Sequence, residues 1–160
     1  MFGEGGNDTL FGMGGNDRLD GGNGTDTLHG GAGNDALTAY NSGQSSPDVL
    51  FGDEGADVFT FGNHATSRTG GYVQRVSAIL SDFESGRDKL HLRFTGTDGD
   101  GSVFWLDAQP FTGQGRLEVR LVEGVLQIDA DGDRVPELLI QITSMIAPSD
   151  ISVEYDPWGY

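Results

Sequence analysis

The chain has 160 residues, with 27 glycines, 25 acidic residues against 9 basic ones, a formal net charge of -16 and no cysteine. Such a charge disfavours electrostatic binding to nucleic acid or to an anionic membrane, and the lack of cysteine excludes disulfides and a thiol nucleophile. The length fits one domain, or two small ones sharing a core. Only 36% of the residues are hydrophobic, so folding needs a further source of stabilisation. Neither a membrane-spanning apolar run nor a secretory signal peptide is visible in the sequence.

The first 60 residues hold much of the negative charge. They contain ten acidic side chains, a single base, Arg18, and 15 of the 27 glycines. Composition alone would predict a disordered, self-repelling segment here. A regular spacing within the segment argues against that interpretation.

This segment is built from six units of nine residues, which begin at Gly3, Gly12, Gly21, Gly30, Gly43 and Gly52. The first four units are contiguous, and residues 39–42 interrupt the frame before the last two. Position six is aspartate in every unit: Asp8, Asp17, Asp26, Asp35, Asp48 and Asp57. Position eight is always large and apolar: Leu10, Leu19, Leu28, Leu37, Leu50 and Phe59. Chance does not explain this agreement.

Each unit divides into a turn and a minimal strand. The first six residues are mostly Gly, Asn and Asp, which tolerate positive φ and tight turning, and only the middle residue of the last three points inward. Two units make one coil of eighteen residues, and stacked coils make a parallel β-roll. The fold predicted is therefore all-β, a right-handed parallel β-roll in which turns lie above turns. The facing aspartates are expected to be Asp8 with Asp26, Asp17 with Asp35, Asp26 with Asp48, and Asp35 with Asp57.

Stacked carboxylates repel one another unless a cation lies between them, and the exposed carbonyls of the turns are hard oxygen ligands. Calcium fits these requirements best, because it accepts about six to eight oxygens in loose geometry. Magnesium demands a tight octahedron, and zinc or copper would favour His or Cys. A glycine-rich nonapeptide with this aspartate is the calcium-binding repeat of β-roll proteins.

The six units resemble the RTX, or haemolysin-type, calcium-binding family. In that family the carbonyls at positions two and four of one turn join its aspartate, and those at positions one and three join the aspartate of the next turn on the same edge. The resemblance implies four ligand sets: Glu4, Gly6, Asp8, Gly21, Asn23 and Asp26; Met13, Gly15, Asp17, Gly30, Ala32 and Asp35; Gly22, Gly24, Asp26, Gly43, Ser45 and Asp48; Gly31, Gly33, Asp35, Gly52, Glu54 and Asp57. The fifth unit departs most from the pattern, with Gln44, Ser46 and Pro47.

Residues 63–160 have a different texture, with longer alternating segments and no helix signature. The predicted strands are residues 76–80, 89–94, 103–106, 117–122, 125–128 and 138–142. They carry most of the apolar bulk and should pack as an antiparallel, sandwich-like cap that closes the end of the roll. The predicted division is thus a roll at 1–62 and a cap with an export-signal region at 63–160.

The cap resembles the C-terminal domain of serralysin-type secreted metalloproteases, in the segments Gly55–Phe61, Leu80–Leu92 and Asp129–Ile142. Asp82 and Asp88 could complete a fifth calcium site with Asp53, Gly55 and Asp57, or could belong to a solvated loop. About four to five ions are expected in all. An EF-hand at Asp129, Asp131 and Asp133 is rejected, because Arg134 and Ile140 stand where that loop needs Gly and Glu.

No catalytic constellation is apparent, since the three histidines form no metalloprotease motif and there is no nucleophile elbow. The resemblance therefore implies a non-catalytic, secreted module of a larger exoprotein, which folds on calcium outside the cell and leaves by type I secretion. Its partners would be calcium, the type I apparatus and an upstream catalytic or adhesive domain.

Two alternatives remain open. The first is an alginate-like polysaccharide-binding module of an extracellular epimerase, for which Arg18 is the only outward basic residue of the repeats, although Arg68, Arg75, Arg87 and Arg93 could gather elsewhere. The second is an adhesin segment, which predicts the same calcium chemistry.

Overall fold

The computed structural model describes residues 1–40, 47–63, 76–95, 103–106, 109–113, 117–129, 134, 136 and 138–156. Within these ranges the chain forms thirteen strands and a single 3-10 turn, Pro148–Asp150: β1 (Thr9–Phe11), β2 (Arg18–Asp20), β3 (Thr27–Ala32), β4 (Ala36–Tyr40), β5 (Asp48–Glu54), β6 (Val58–Asn63), β7 (Val76–Leu80), β8 (Lys89–Thr95), β9 (Val103–Trp105), β10 (Leu117–Val122), β11 (Val125–Asp129), β12 (Leu138–Ile142) and β13 (Ile151–Asp156). No described helix has the length and apolarity that a membrane span needs.

The strands form two sheets, and successive repeats alternate between them. One sheet has the order β1-β3-β5-β7-β12-β11-β10-β9, and the other has the order β13-β8-β6-β4-β2. The strands of the repeats pair in parallel with the strand one coil further on. The predicted all-β parallel roll is therefore confirmed.

Position eight of the repeats sets the register and fills the core between the two sheets. Leu10 pairs with Leu28 and Leu28 with Leu50 in one sheet, while Leu19, Leu37 and Phe59 form the equivalent row in the other. All of these except Leu10 are fully buried. Each fully buried leucine contributes about 2 kcal/mol of hydrophobic stabilisation.

The strands grow longer along the array. The first two have three residues each, as the repeat predicts, but β4 continues through Ala39 and Tyr40, which pair with Phe61 and Gly62. Ala39 is buried. Two of the four residues that interrupt the repeat frame therefore belong to a strand, because they lie opposite the longer strand β6.

The outward ninth positions of one sheet form an aromatic stack. The His29 ring lies parallel to those of Phe11 and Phe51, with centroids 5.0 and 4.4 Å apart. Each face of the imidazole is therefore covered by a phenyl ring, which supports a structural role for His29.

Parallel stacking continues beyond residue 62. β7 pairs in parallel with β5, and β8 pairs in parallel with β6. Antiparallel pairing is found between β10 and β11 and between β11 and β12. Leu80, Leu90 and Leu92 belong to the same buried cluster as the repeat leucines. The cap is thus built onto the last coil, and the division at residue 62 stays a prediction from the change in sequence texture.

The six strands predicted in the cap are all present, with bounds within one residue. β13 is not among the predicted strands, and it pairs in parallel with β8 over residues 151–156. Its alternating Ile151, Val153 and Tyr155 are the signal that the sequence offers for this strand.

Candidate metal centre

The turns between the strands share one backbone pattern. Position two has positive φ at Glu4, Met13, Gly22, Gly31 and Asp53, with values from 63 to 101°. Position four of the same five turns also has positive φ, at Gly6, Gly15, Gly24, Gly33 and Gly55, with values from 107 to 152°. Residues with a side chain rarely adopt these φ angles. The positive φ at positions two and four therefore explains why the repeat has glycine there. It also shows strain at the three positions where the residue is not glycine.

Carbonyl oxygens of one turn lie against the glycines of the next. A Cβ atom at Gly24 would come within 1.8 Å of the Gly6 carbonyl oxygen, and one at Gly55 within 1.6 Å of the Gly33 carbonyl oxygen. Only glycine leaves room for this approach. Each edge of the roll therefore presents closely stacked carbonyl oxygens.

The aspartates of position six meet across the coils. The carboxylate Oδ1 of Asp26 accepts a hydrogen bond from the backbone N–H of Asp8 at 2.9 Å, and Asp48 accepts one from Asp26 at 2.8 Å. On the other edge, Asp35 and Asp57 accept from the backbones of Asp17 and Asp35 at 2.8 Å. The structure thus brings together all four aspartate pairs that the spacing predicted.

Several aspartates of position six have a second carboxylate oxygen that is buried without a partner. The Oδ2 atoms of four aspartates are buried without a hydrogen bond: Asp8, Asp26, Asp35 and Asp57. Three of the four side chains are at most 2% exposed. A desolvated carboxylate oxygen without a donor is costly, whereas a cation among the neighbouring carbonyls would satisfy it.

Burial also changes the acidity of this site. Desolvation is the main reason that the pKa of Asp48 and that of Asp57 are raised to about 6, and it raises the pKa of Asp26 and Asp88 as well. Hydrogen bonds from the backbone oppose the shift, and the charges of neighbouring aspartates add to it. A bound cation would favour the ionised form and reverse this effect.

The donor set fits calcium. Within the described ranges, no three His, Cys, Asp or Glu side chains cluster as a metal site, so an ion here would depend on paired aspartates and backbone carbonyls. The Glu4 carbonyl accepts from the Asn23 N–H at 2.9 Å, and the Asn23 carbonyl accepts from the Gly6 N–H at 2.8 Å. Since a carbonyl oxygen has two lone pairs, each can still bind an ion. Hard oxygens in an irregular cage suit calcium.

The predicted ligand sets lie in facing turns. The set of Glu4, Gly6 and Asp8 meets that of Gly21, Asn23 and Asp26 through the two bonds just described and the Gly5–Asn23 bridge. Two further sets meet through equivalent bonds, Ala32 N–H to the Met13 carbonyl at 2.9 Å and Gly33 N–H to the Glu54 carbonyl at 2.8 Å. Gly43 and Ser45 of the remaining set lie outside the described residues.

The last turn is closed differently. The two oxygens of Asp82 accept from the backbone N–H groups of Gly52 and Asp53, at 2.9 and 2.8 Å. Those of Asp88 accept from Asp57 at 3.1 Å and from Glu84 at 2.8 Å. Asp88 therefore takes the place of a next-coil aspartate, but both of its oxygens have donors. A fifth ion at these residues, with Gly55, stays a prediction.

Two polar features were not foreseen from the sequence. Asparagines at position five form a second ladder, in which Asn7, Asn16 and Asn34 accept from the backbone of the next coil at 2.9 to 3.0 Å. The repeated Asn at this position was the available signal. The second feature is Asp150, which is 1% exposed and contacts Lys89 at 3.0 Å.

Asp129, from the rejected EF-hand, is fully buried and accepts a hydrogen bond from the Arg134 backbone at 2.8 Å. This contact agrees with a structural turn after β11. Asp131 and Asp133 lie outside the described residues.

Comparison with known proteins agrees with this geometry. The family model "RTX calcium-binding nonapeptide repeat" matches residues 2–37 and 42–63, in four copies. The solution structure of the AlgE6R3 subunit from the Azotobacter vinelandii mannuronan C5-epimerase is similar over 91% of this chain and 77% of that one, with a TM-score of 0.55 and 25% sequence identity. The comparison with curated proteins gave no match.

Proposed function

We propose that this chain, whose residues 2–37 and 42–63 match the RTX calcium-binding nonapeptide repeat, is a calcium-dependent folding module of an exported polypeptide. The observation that supports the proposal most directly is the set of buried, unpartnered Oδ2 atoms of Asp8, Asp26, Asp35 and Asp57. Each lies at an edge of the roll among stacked carbonyl oxygens. Calcium bound there would supply the positive charge that the folded turns lack.

The residues proposed to hold the ions are the four facing sets of turns, with Asp53, Gly55, Asp57, Asp82 and Asp88 as the fifth. About four to five ions would bind. Each carboxylate in the middle of an edge would serve two neighbouring levels, so ions along one edge should bind cooperatively. In the folded state, the chain's own residues contribute the stacked turns and the aspartates that hydrogen bonds between coils hold in place.

The calcium concentration inside and outside the cell would determine where the module folds. Calcium is scarce in the cytosol, so the acidic repeats would stay unfolded and fit for export through a type I apparatus. Extracellular calcium modules bind with affinities of ~10⁻⁴ to 10⁻³ M, so millimolar calcium outside the cell would fold them. A tenfold excess of calcium over the dissociation constant stabilises the fold by about 1.4 kcal/mol per site.

The proposal assigns no catalytic role to the chain. A catalytic or adhesive domain elsewhere in the same polypeptide, the type I apparatus and calcium would be its partners, and the module would be extracellular. The aspartates that the structure places together are suited to holding an ion, and the described His29 and His91 contact other side chains of the roll.

Circular dichroism and calorimetry with calcium, with magnesium and with EDTA test the proposal. Calcium alone should produce the β spectrum, and Asp35→Asn should weaken calcium binding by about tenfold or more. Asp20→Asn is the matched control, because Asp20 lies in the same array but at the outward position nine. A β spectrum that EDTA leaves unchanged would refute the calcium-dependent fold, and equal affinity of the Asp35 and Asp20 variants would refute the ligand sets.

A second candidate is the binding of an acidic polysaccharide, and the outer face of β8 favours it. Lys89, His91 and Arg93 alternate with the fully buried Leu90 and Leu92, so they form an outward basic row. This row adjoins the smaller Val58 and Thr60 on β6, and Arg18 lies at the far edge of the same sheet.

Acidic groups partly neutralise this row. Glu154 lies 3.2 Å from both His91 and Arg93, and Asp150 lies 3.0 Å from Lys89. Any polyanion would therefore compete with exposed Glu154, and binding should be weak and sensitive to salt. The similar module of a mannuronan epimerase makes an alginate oligomer the natural probe.

Titration of alginate oligomers into the calcium-loaded chain, followed by NMR, tests this candidate. Binding should shift residues on β6 and β8, and Arg93→Gln should weaken it more than Arg87→Gln, an equal loss of charge outside the strand. Absence of chemical-shift changes in calcium, or equal effects of the two variants, would refute it.

A further inference from the structure

The chain contains one asparagine that is followed by glycine, Asn23 before Gly24. They occupy positions three and four of the third unit, and the Asn23 side chain is exposed. In this dipeptide the absence of a side chain on glycine lets its backbone nitrogen approach the asparagine Cγ. Asparagine is among the thermolabile residues of proteins, and a following glycine removes a steric obstacle to this reaction.

The other asparagines of the described turns are held in place. The side-chain oxygens of Asn7, Asn16 and Asn34 accept hydrogen bonds from the backbone of the next coil, and each of these residues precedes an aspartate. Asn23 therefore stands apart from them in both its neighbour and its side-chain environment.

The folded roll holds the backbone around Asn23. Its N–H donates to the Glu4 carbonyl at 2.9 Å, and its carbonyl accepts from the Gly6 N–H at 2.8 Å. Gly24 is buried with φ of +148°, and a Cβ atom there would come within 1.8 Å of the Gly6 carbonyl oxygen. The peptide cannot turn toward the Asn23 side chain unless the first two coils separate.

We propose that Asn23–Gly24 is a deamidation site that calcium protects, a proposal that rests on calcium-dependent folding of the repeats. In the unfolded chain the Gly24 nitrogen attacks Cγ of Asn23, a new C–N bond forms, and ammonia leaves. Water then opens the resulting succinimide to aspartate or isoaspartate. The net change is one side-chain amide and one water converted to one carboxylic acid and one ammonia, with no oxidation or reduction.

Modification at this position would damage the turn. Isoaspartate inserts a methylene into the main chain between positions three and four, where the stacked coils leave no space beside Gly24. It would also displace the Asn23 carbonyl, which belongs to the first proposed ligand set. A chain held too long without calcium would therefore lose the ability to form its first calcium level.

The test is to incubate the full chain in mildly alkaline buffer with calcium or with EDTA, and to follow isoaspartate by peptide mapping and enzymatic methylation. Modification at residue 23 should be about tenfold or more faster in EDTA, because the amide reacts only when the coils are open. Modification at residue 34 should remain small in calcium. Chains aged in EDTA should bind fewer calcium ions afterwards, whereas Asn23→Ser chains aged in the same way should not change.

Two results would overturn the inference: equal rates at residue 23 in calcium and EDTA, or aged chains that bind calcium as fresh ones do. Circular dichroism of fresh protein separates this failure from that of the proposed function. If calcium still induces the β spectrum while the rates are equal, the modification site alone is wrong. If calcium changes neither the spectrum nor the rate of modification, the proposal of a calcium-dependent fold is wrong.

Discussion

The carboxylate oxygens of the repeat turns and those of the last turn of the roll have different partners. In the repeats, the Oδ1 atoms of Asp26, Asp35, Asp48 and Asp57 accept backbone N–H groups. The Oδ2 atoms of Asp8, Asp26, Asp35 and Asp57 are buried without a donor. At the last turn, all four oxygens of Asp82 and Asp88 accept backbone N–H groups. The repeats thus need an outside charge, and the end of the array is completed by the protein.

From this difference we expect folded structure to form first at the last coil of the roll. Phe83, which follows Asp82, is buried and packs against Phe59, with ring centroids 6.0 Å apart. The last coil therefore has both polar and apolar contacts to the cap. Coils further toward the N-terminus lie farther from these cap contacts, so we expect dependence on calcium to increase in that direction.

Removal of calcium should produce the largest difference between the repeats and the cap. In EDTA, amides of β1 to β4 should lose roughly 100-fold or more of their protection from hydrogen exchange, while those of β11 and β12 keep most of theirs. Exchange measured by mass spectrometry with and without calcium checks this. A uniform loss of protection over both regions would show that they do not differ in this respect.

Removal of the Asp150 carboxylate should act on the cap whether or not calcium is present. Although burial opposes it, hydrogen bonds from Ser85, Lys89, Ala147 and Gly86 lower the pKa of Asp150 to about 2. Asp150→Ala should reduce the free energy of unfolding by about 3 kcal/mol or more, because Lys89 and three other donors lose their partner. Chemical denaturation of the calcium-loaded chain measures it.

The same carboxylate predicts a pH effect. Since its folded pKa lies below the unfolded value of 3.8, its contribution is present above pH 4 and is lost as the pH falls toward 2. Asp150→Ala should not show this acid loss. An unchanged acid profile in the variant would contradict the assignment.

The repeats should respond to pH in the opposite direction when calcium is absent. The pKa values of Asp48 and Asp57 are raised from 3.8 to about 6, so their protonated forms favour the folded state below pH 4. That contribution is lost as the pH rises through 6. Circular dichroism in EDTA should therefore show more β structure at pH 4 than at pH 7. More structure at pH 7 would contradict it.

The smallest effect is expected from Asp82→Asn. The amide keeps one acceptor oxygen for Gly52 or Asp53 and loses the other hydrogen bond, at a cost of about 1 to 2 kcal/mol. If Asp82 acts mainly through these bonds, thermal melting should show the same loss in calcium and in EDTA. A loss confined to calcium would instead show that Asp82 contributes mainly to the proposed fifth ion.

The sequence predicts the roll well because the repeat is local. The spacing of the repeats alone predicts that Asp26 faces Asp8 and Asp48 and that the leucines form a buried row, because each unit fixes its own register. Contacts outside the repeat were less predictable. Asp82 reaches Gly52 across 30 residues, and Asp150 reaches Ser85 across 65, and such pairings are set by tertiary packing, which no short motif encodes. The pairing of β13 with β8 is likewise set by tertiary packing, although the alternation of β13 itself is visible in the sequence.

The coil that contains residues 41–46 has a consequence for protein engineering. Asp26 and Asp48 are 22 residues apart, as are Asp35 and Asp57, yet their hydrogen bonds have the same length as that between Asp17 and Asp35, which are 18 apart. The distance between coils therefore does not depend on the length of the connecting segment. Because closure entropy grows only slowly with chain length, a designed roll of this kind should accept coils of unequal length without a change in the spacing of its carboxylates.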